Sequence, residues 1–428
     1  MKSRPRRDDR WIWWRLAWRN LWRNRRRTFI TASALAFGYL AAVTIIGIWR
    51  GMLSEMIASG TDLVTGQLQI HAPDYHPERS MYTTLGGREG IDVDELVRLT
   101  REIPGIVAAS PRVHGGGLVS SGSETVAGLF MGVDPDHEVE VTRLLESPAE
   151  GRAPRAGERE ILIGRGMADR LGVEVGDEVV LVAPASDGSL GNDLYRVSGM
   201  FATGMVALDG SFGILPIGSL QELMAMPEEW IHEVAATVED PFSAPAVGDS
   251  LAVALAARGL GYPVQPRPWT VFQAQLAEYA SLAGAVNFII VGIIFIMAIF
   301  GVANTMLLGT FERRREFAVV RALGTQPGMV ALTVVYEGLI LGVVALAVGV
   351  LISVPVLYWL HNYPPDLSRA FGDITMLGSV WRPVLRAEYS VDGPVVSAVA
   401  LLITSILSAL YPAYRAVKIL PADALADL

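Results

Sequence analysis

The chain has 428 residues, of which 51% are hydrophobic and 18% charged, with a formal net charge of −9 and a positive mean hydropathy. That balance excludes a disordered chain and a nucleic-acid-binding one, and it fits a membrane protein carrying one sizeable soluble domain. Cysteine is absent, which removes disulfides, thiolate metal sites and a cysteine nucleophile.

Residues 1–28 open the chain with eleven Lys and Arg side chains. Trp11, Trp14, Trp18, Leu21 and Trp22 recur at helical spacing, with Arg15, Arg19, Arg23 and Arg26 largely between them, which predicts an interfacial amphipathic helix. A plain positively charged anchor accounts for the same residues. The segment does not read as a cleavable signal, because the apolar run behind it is itself of spanning length. That run, Phe29–Ile48, is uncharged over 20 residues and predicts a first transmembrane helix over 29–50.

Residues 51–283 are expected to form one soluble domain. From Gly51 to Ala280 it carries 33 acidic and 14 basic residues and no lysine, a field that favours solubility without identifying a ligand. Val64–Ala72 alternates and reads as a strand. Asp92, with Glu95 three residues on, predicts a capped helix over Val93–Ile103, and a strand is expected over 107–113. A similar unit returns as strand 233–238, helix 244–258 and strand 262–265. Two such units predict a split ferredoxin-like base (60–116 and 227–268) interrupted by a β-rich lobe (117–226). Gly115, Gly116 and Gly117 are expected to make the turn into that lobe. A helical stalk, 270–283, leads without a breaker into the second span.

The second span, 284–309, holds the uncharged run Ala285–Leu308. A charged tip, 310–329, follows, in which Glu312–Leu323 has helical composition and ends at Gly324, with Pro327 beyond. Span 330–360 has Glu337 as its only charge. Intramembrane acids are costly and mark coupling or proton-transfer sites. Gly338 and Gly342 form a close-packing G-x-x-x-G face, for use within the subunit or between two. An outer loop, 361–393, precedes the last span, 394–411, and a tail, 412–428. The three short flanking segments 1–28, 311–329 and 412–428 hold seventeen Lys and Arg in 64 residues, against seventeen in 268 for the outer loops. The positive-inside rule therefore places both termini in the cytoplasm and the large domain outside. The fold class expected is an α-helical membrane domain of four transmembrane helices with an α+β extracytoplasmic domain.

No P-loop, H-E-x-x-H or G-x-S-x-G motif is present, and the six histidines are scattered. The expectation is therefore no catalytic residue, no metal and no cofactor, with any ATP hydrolysis supplied by a partner chain.

The run ERRREFAVVRALGTQPGMV with the later YEGLILG resembles the coupling segment of ABC-transporter permeases of the MacB, FtsX and LolC/LolE superfamily. The closing LYPAYRAVKILPADALADL is similar to that family's C-terminal signature at Pro412, Ala413, Arg415, Ala416, Pro421, Ala424 and Leu425. WRLAWRNLWRNRRRTFIT resembles its N-terminal helix. IPGIVAASPRV, GVDPDHE, ILIGRGMADRLGVEVGD and YRVSGMFATGMVALDGSF look most like the lipoprotein-releasing branch. The resemblance implies a bacterial inner-membrane permease subunit with a periplasmic domain. Its ATPase-coupling residues would be Glu312, Arg313, Arg315, Glu316, Phe317, Val320, Arg321 and Leu323, with Phe317, Val320 and Leu323 as the apolar face. Glu337, Gly338 and Gly342 would serve helix packing or coupling. Implied partners are separate ABC ATPase subunits, a second copy or a homologous permease, a lipoprotein or other periplasmic protein, and membrane lipid, with no nucleic acid. The implied function is mechanotransmission, in which ATP hydrolysis drives extraction or export of a lipoprotein or other amphiphile at the outer leaflet. A tripartite efflux permease and an FtsX-like regulator of a periplasmic hydrolase are the alternatives.

Overall fold

A computed structural model describes residues 7–75, 79–87, 91–122, 124–146, 148–259, 264–367, 374–376, 379–381 and 384–419. Residues 1–52, 281–367 and 384–428 form one compact unit, and residues 53–280 with 368–383 form a second.

The first unit is helical. Its elements are α1 (Arg7–Arg23), the first part of α2 (Arg25–Thr61), most of α3 (Ala274–Glu312), α4 (Arg314–Ala322), α5 (Pro327–Asn362) and α6 (Asp392–Val417). Among the described residues, α2, α3, α5 and α6 are long and apolar enough to cross a bilayer. Their shared core joins Leu35, Tyr39 and Val43 of α2 to Phe295 of α3, Leu341 and Ala345 of α5, and Leu401 of α6. Trp14 of α1 packs edge-on against Tyr336 of α5, with ring centroids 5.7 Å apart. Leu16, Trp18 and Trp22 stay exposed.

Gly338 and Gly342 face α6. A Cβ built on Gly338 would lie 2.7 Å from the Ala409 Cβ and 2.8 Å from the Ser405 carbonyl oxygen, and one on Gly342 would lie 2.3 Å from Ser405 Oγ. The G-x-x-x-G face is thus consumed inside the subunit, where small residues let two helices approach closely.

The second unit is built on one ten-stranded sheet. Its strands are β1 (Leu68–His71), β2 (Ile106–Ser121), β3 (Glu124–Val133), β4 (Glu150–Gly151), β5 (Glu160–Gly164), β6 (Glu178–Pro184), β7 (Leu190–Phe201), β8 (Phe212–Pro216), β9 (Glu233–Val238) and β10 (Gln265–Pro268). The order is β10-β1-β9-β2-β3-β8-β5-β7-β4, with β6 pairing β2 and β7. The four strands β10-β1-β9-β2 pair antiparallel throughout. Strand β2 is 16 residues long and carries pairing from β9 into β3 and β6. The strand expected over 107–113 therefore runs on to Ser121, and Gly115, Gly116 and Gly117 lie inside it and form no turn. Gly117 is there because a Cβ would meet the Val182 carbonyl oxygen of β6 at 2.1 Å.

Asp92 caps the helix Val93–Glu102 by accepting from the amides of Asp94 and Glu95 at 3.0 and 3.2 Å. The Glu95 carboxylate pairs with Arg98 and makes no reciprocal bond to the cap. Between the sheet and α3 the helix is interrupted: Trp269–Phe272 forms one turn, and Gln273 leaves helical geometry at φ −110°, ψ 56° before α3 begins. Tyr262 of the expected strand 262–265, and Pro421, Ala424 and Leu425 of the closing motif, lie outside the described residues.

Candidate functional site: the charged tip between two spans

The tip is organised by Arg313, the residue between α3 and α4, with φ −102° and ψ 14°. Its Nη1 donates to Glu337 Oε1 at 2.7 Å and its Nε to Glu316 Oε2 at 3.2 Å. The Arg313 and Glu337 side chains are each 11% exposed. Asn20 of α1 donates to the same Glu337 oxygen at 2.8 Å, and Arg23 of α1 pairs with Glu316 Oε1 at 2.7 Å. One chain of charge-assisted bonds thus runs Arg23, Glu316, Arg313, Glu337, Asn20, joining α1, α4 and α5. Arg27 adds a pair with Glu312 at 3.0 Å.

Burial opposes ionisation of Glu316, but the hydrogen bonds from Arg23 and Arg313 outweigh it and hold the carboxyl below its usual range. The exposed pairs contribute at most ~1 kcal/mol each. The Arg313–Glu337 pair weighs more, because removing one partner of a buried pair strands the other's charge.

At the other end of α4, Arg321 donates to the Val417 carbonyl at 2.8 Å and also to that of Ile419. These are carbonyls at the C-terminus of α6, which have no partner in their own helix. Gly324, with φ +97°, ends the tip, and Pro327 begins α5. Phe317 turns inward against Val330, Val334, Ala413 and Ala416. The Arg313 guanidinium carbon lies 5.0 Å from its ring centroid.

The apolar face expected of Phe317, Val320 and Leu323 is therefore divided. Phe317 belongs to the core, Val320 is half-buried, and Leu323 is 82% exposed beside Val319 and the outward Arg314 and Arg315. Asn20 and Arg23 were not singled out as tip residues. Their partners lie 317 and 293 positions away along the chain, and no local spacing reports such a contact.

A second polar cluster lies in the sheet domain, again from residues not singled out. Arg112 of β2 is fully buried. Its Nε and Nη2 donate to Glu138 Oε1 at 3.1 and 2.5 Å, and its Nη1 to Glu233 Oε1 at 3.3 Å and to the Val64 carbonyl at 2.7 Å. His114 Nε2 stands 3.1 Å from the same Glu233 oxygen. His232 Nδ1 accepts from the His114 amide at 2.9 Å, while its Nε2 lies 3.1 Å from the Met81 carbonyl. Burial pushes Glu233 up, but His114 and Arg112 outweigh it and hold its carboxyl far below the usual range. Burial, with His114 beside it, lowers His232 to about 4. Among the described residues no group of three His, Asp or Glu side chains is placed to hold a metal ion.

Residues 28–253 match the family described as MacB-like periplasmic core domain, and residues 288–421 match the family described as FtsX-like permease C-terminal. The lipoprotein-releasing system transmembrane protein LolC of Neisseria meningitidis is 25% identical over 93% of each chain. LolE of Haemophilus influenzae is 24% identical over 78% of this chain and 80% of its own length. The macrolide export ATP-binding/permease protein MacB of Escherichia coli is 21% identical over 96% of this chain, which spans 60% of that protein.

Proposed function

Since the chain belongs to the MacB-like periplasmic core domain family, we propose that it is the permease subunit of an ABC transporter that releases lipoproteins from the inner membrane. ATP is hydrolysed by separate subunits that dock on α4, and a homologous permease completes the membrane pair. The termini and α4 face the cytoplasm and the sheet domain faces the periplasm. There β10-β1-β9-β2, with its two helices, serves as a split ferredoxin-like base, and the remaining strands form a lobe.

The observation that carries this reading is the attachment of α4. Arg313 ties its start to Glu337 of α5, and Arg321 ties its end to α6. A push on α4 therefore acts on two spanning helices at once, which is what transmission of an ATPase stroke requires. Glu337 then serves coupling, since Arg313 and Asn20 hold it as an acceptor. LolC and LolE, named for lipoprotein release, match along most of the chain, and this supports lipoprotein as cargo.

The test is site-specific photocrosslinking in cells. A crosslinker at Leu323 should capture an ATPase subunit, and crosslinkers at the half-buried or exposed positions 64–65 and 205–211 should capture lipoprotein at a cluster of positions. An adaptor or a cell-wall hydrolase as the sole periplasmic adduct would replace lipoprotein release by export or by regulation.

A further inference from the structure

The contacts of α1 decide between an interfacial helix and a plain basic anchor. Trp14 meets Tyr336, and Asn20 meets Glu337. Trp14 and Asn20 are ~9 Å apart along α1, yet their partners are neighbours on α5. A helix lying alongside α5 would reach partners about six positions apart, so α1 runs across α5. The 36 residues of α5 extend ~54 Å, about 24 Å beyond the ~30 Å hydrocarbon core, and Glu337 lies ~15 Å from the first of them. With the excess shared between the two ends, the crossing falls at the edge of the core.

Successive side chains turn by about 100° around the helix. Ala17 is buried and Leu21 packs on the core of the bundle, which sets the inner side. Trp11, Trp18 and Trp22 fall on one line and are 61%, 45% and 47% exposed. Arg15 and Arg19, both exposed, occupy the sector beside that line, on the side away from Ala17. The Arg15 guanidinium carbon lies 4.4 Å from the Trp11 ring centroid. Among the described residues neither Arg15 nor Arg19 has an ion-pair or hydrogen-bond partner, whereas Arg23, next in the row, is committed to Glu316. An anchor needs charge alone. A row of indoles beside a row of free guanidinium groups matches a leaflet surface, where indoles settle at headgroup level and guanidinium groups pair with phosphate.

We propose that α1 binds the anionic phospholipid of the leaflet it lies on, with Trp11, Trp18 and Trp22 in the headgroup boundary and Arg15 and Arg19 on lipid phosphates. Asn20 and Arg23 of the same helix hold Glu337 and Glu316, so bound lipid steadies the charged tip. That consequence rests on the tip's role in the proposed function; the lipid contact itself does not.

The experiment uses the full chain in phosphatidylcholine nanodiscs, with or without phosphatidylglycerol. Each carries a trace of one lipid or the other bearing a diazirine near its headgroup, and adducts are mapped by mass spectrometry. Phosphatidylglycerol should label residues 11–22 about tenfold more than phosphatidylcholine at equal mole fraction, the scale set by two arginines near an anionic surface. High salt should shrink the preference, and millimolar inorganic phosphate should not compete. Replacing Arg15 and Arg19 together by glutamine breaks no ion pair and should remove the preference. Trp18→Gln should lower labelling by both lipids. Amide exchange across 312–323 should slow with phosphatidylglycerol in the wild type and not in the double variant.

Equal labelling by the two lipids, or a preference that survives in the double variant, would overturn the lipid site. Exchange at 312–323 that ignores lipid would overturn its link to the tip. Equal labelling together with loss of the ATPase from the double variant would assign the arginines to an acidic protein partner instead. Both leaflets of a nanodisc carry both lipids and no ATPase is present. Failure of the transport reading therefore shows in topology reporters and ATPase co-purification, and leaves the labelling result standing.

Discussion

Arg313 Nη1 meets Glu337 Oε1 at 2.7 Å where the charged tip enters the third spanning helix, and both side chains are almost fully enclosed. Neither charge could be left alone there. Arg313→Leu should lower the thermal midpoint of the detergent-solubilised protein, with a loss of about 3 kcal/mol, because among the described residues Glu337 then keeps Asn20 alone. Replacing both residues by leucine should restore most of it. A double variant less stable than either single one would show that the pair does more than neutralise itself.

Packing between α5 and α6 makes a prediction that separates two neighbouring glycines. Gly342→Ala collides with the Ser405 side chain at 2.3 Å and should cost ~1–3 kcal/mol. Ser405→Gly should relieve it. Gly338→Ala meets a backbone oxygen at 2.8 Å as well as the Ala409 Cβ, so Ser405→Gly should leave that loss in place. Thermal unfolding of the single and double variants checks both.

The sheet domain should respond to acid through His232. Its folded pKa, about 4, lies below the ordinary 6.5, so the unfolded chain binds the extra proton between these values. Stability is therefore complete above pH 6.5 and is lost as pH falls toward 4, by an amount on the order of 3 kcal/mol. Glu233, also depressed, adds a further loss below the ordinary carboxylate range. His232→Gln should flatten the profile between pH 6.5 and 4.5 in denaturant titrations. An unchanged slope there would assign the acid sensitivity elsewhere.

Much of this architecture was legible because it is local. Uncharged runs set the spanning helices, Gly324 and Pro327 bounded the tip, and Asp92 marked the cap of its helix. The active contacts were not legible, because they are distant pairings. Arg23 with Glu316, and Arg112 with Glu233, 121 residues apart, carry no periodic signal that relates them. Phe317 shows the same gap from the other side: its helical spacing with Val320 and Leu323 is real, yet tertiary packing against Val330 and Ala413 decides which face is presented. Gly338 and Gly342 announced a close contact, but only the position of Ser405 says with which helix.

Topology can be checked with reporters active only outside the cytoplasm. A fusion after Asp187, in the tight turn between β6 and β7, should be active, and fusions after Gln326 or Leu428 should be silent. A reversed sign at any of the three would exclude four spans with cytoplasmic termini.

Docking of an ATPase on α4 is tested most directly at Leu323, which is 82% exposed and makes no contribution to the tip's ion pairs. Glu316→Lys is a less clean probe, because it also breaks the bonds to Arg23 and Arg313. The measurement is co-purification of the ATPase subunit with the Leu323→Asp protein in mild detergent, alongside membrane level and thermal midpoint. The expected outcome is an inserted protein with a normal midpoint that no longer retains its ATPase. A Leu323→Asp protein that retains the ATPase and hydrolyses ATP at the normal rate would contradict it.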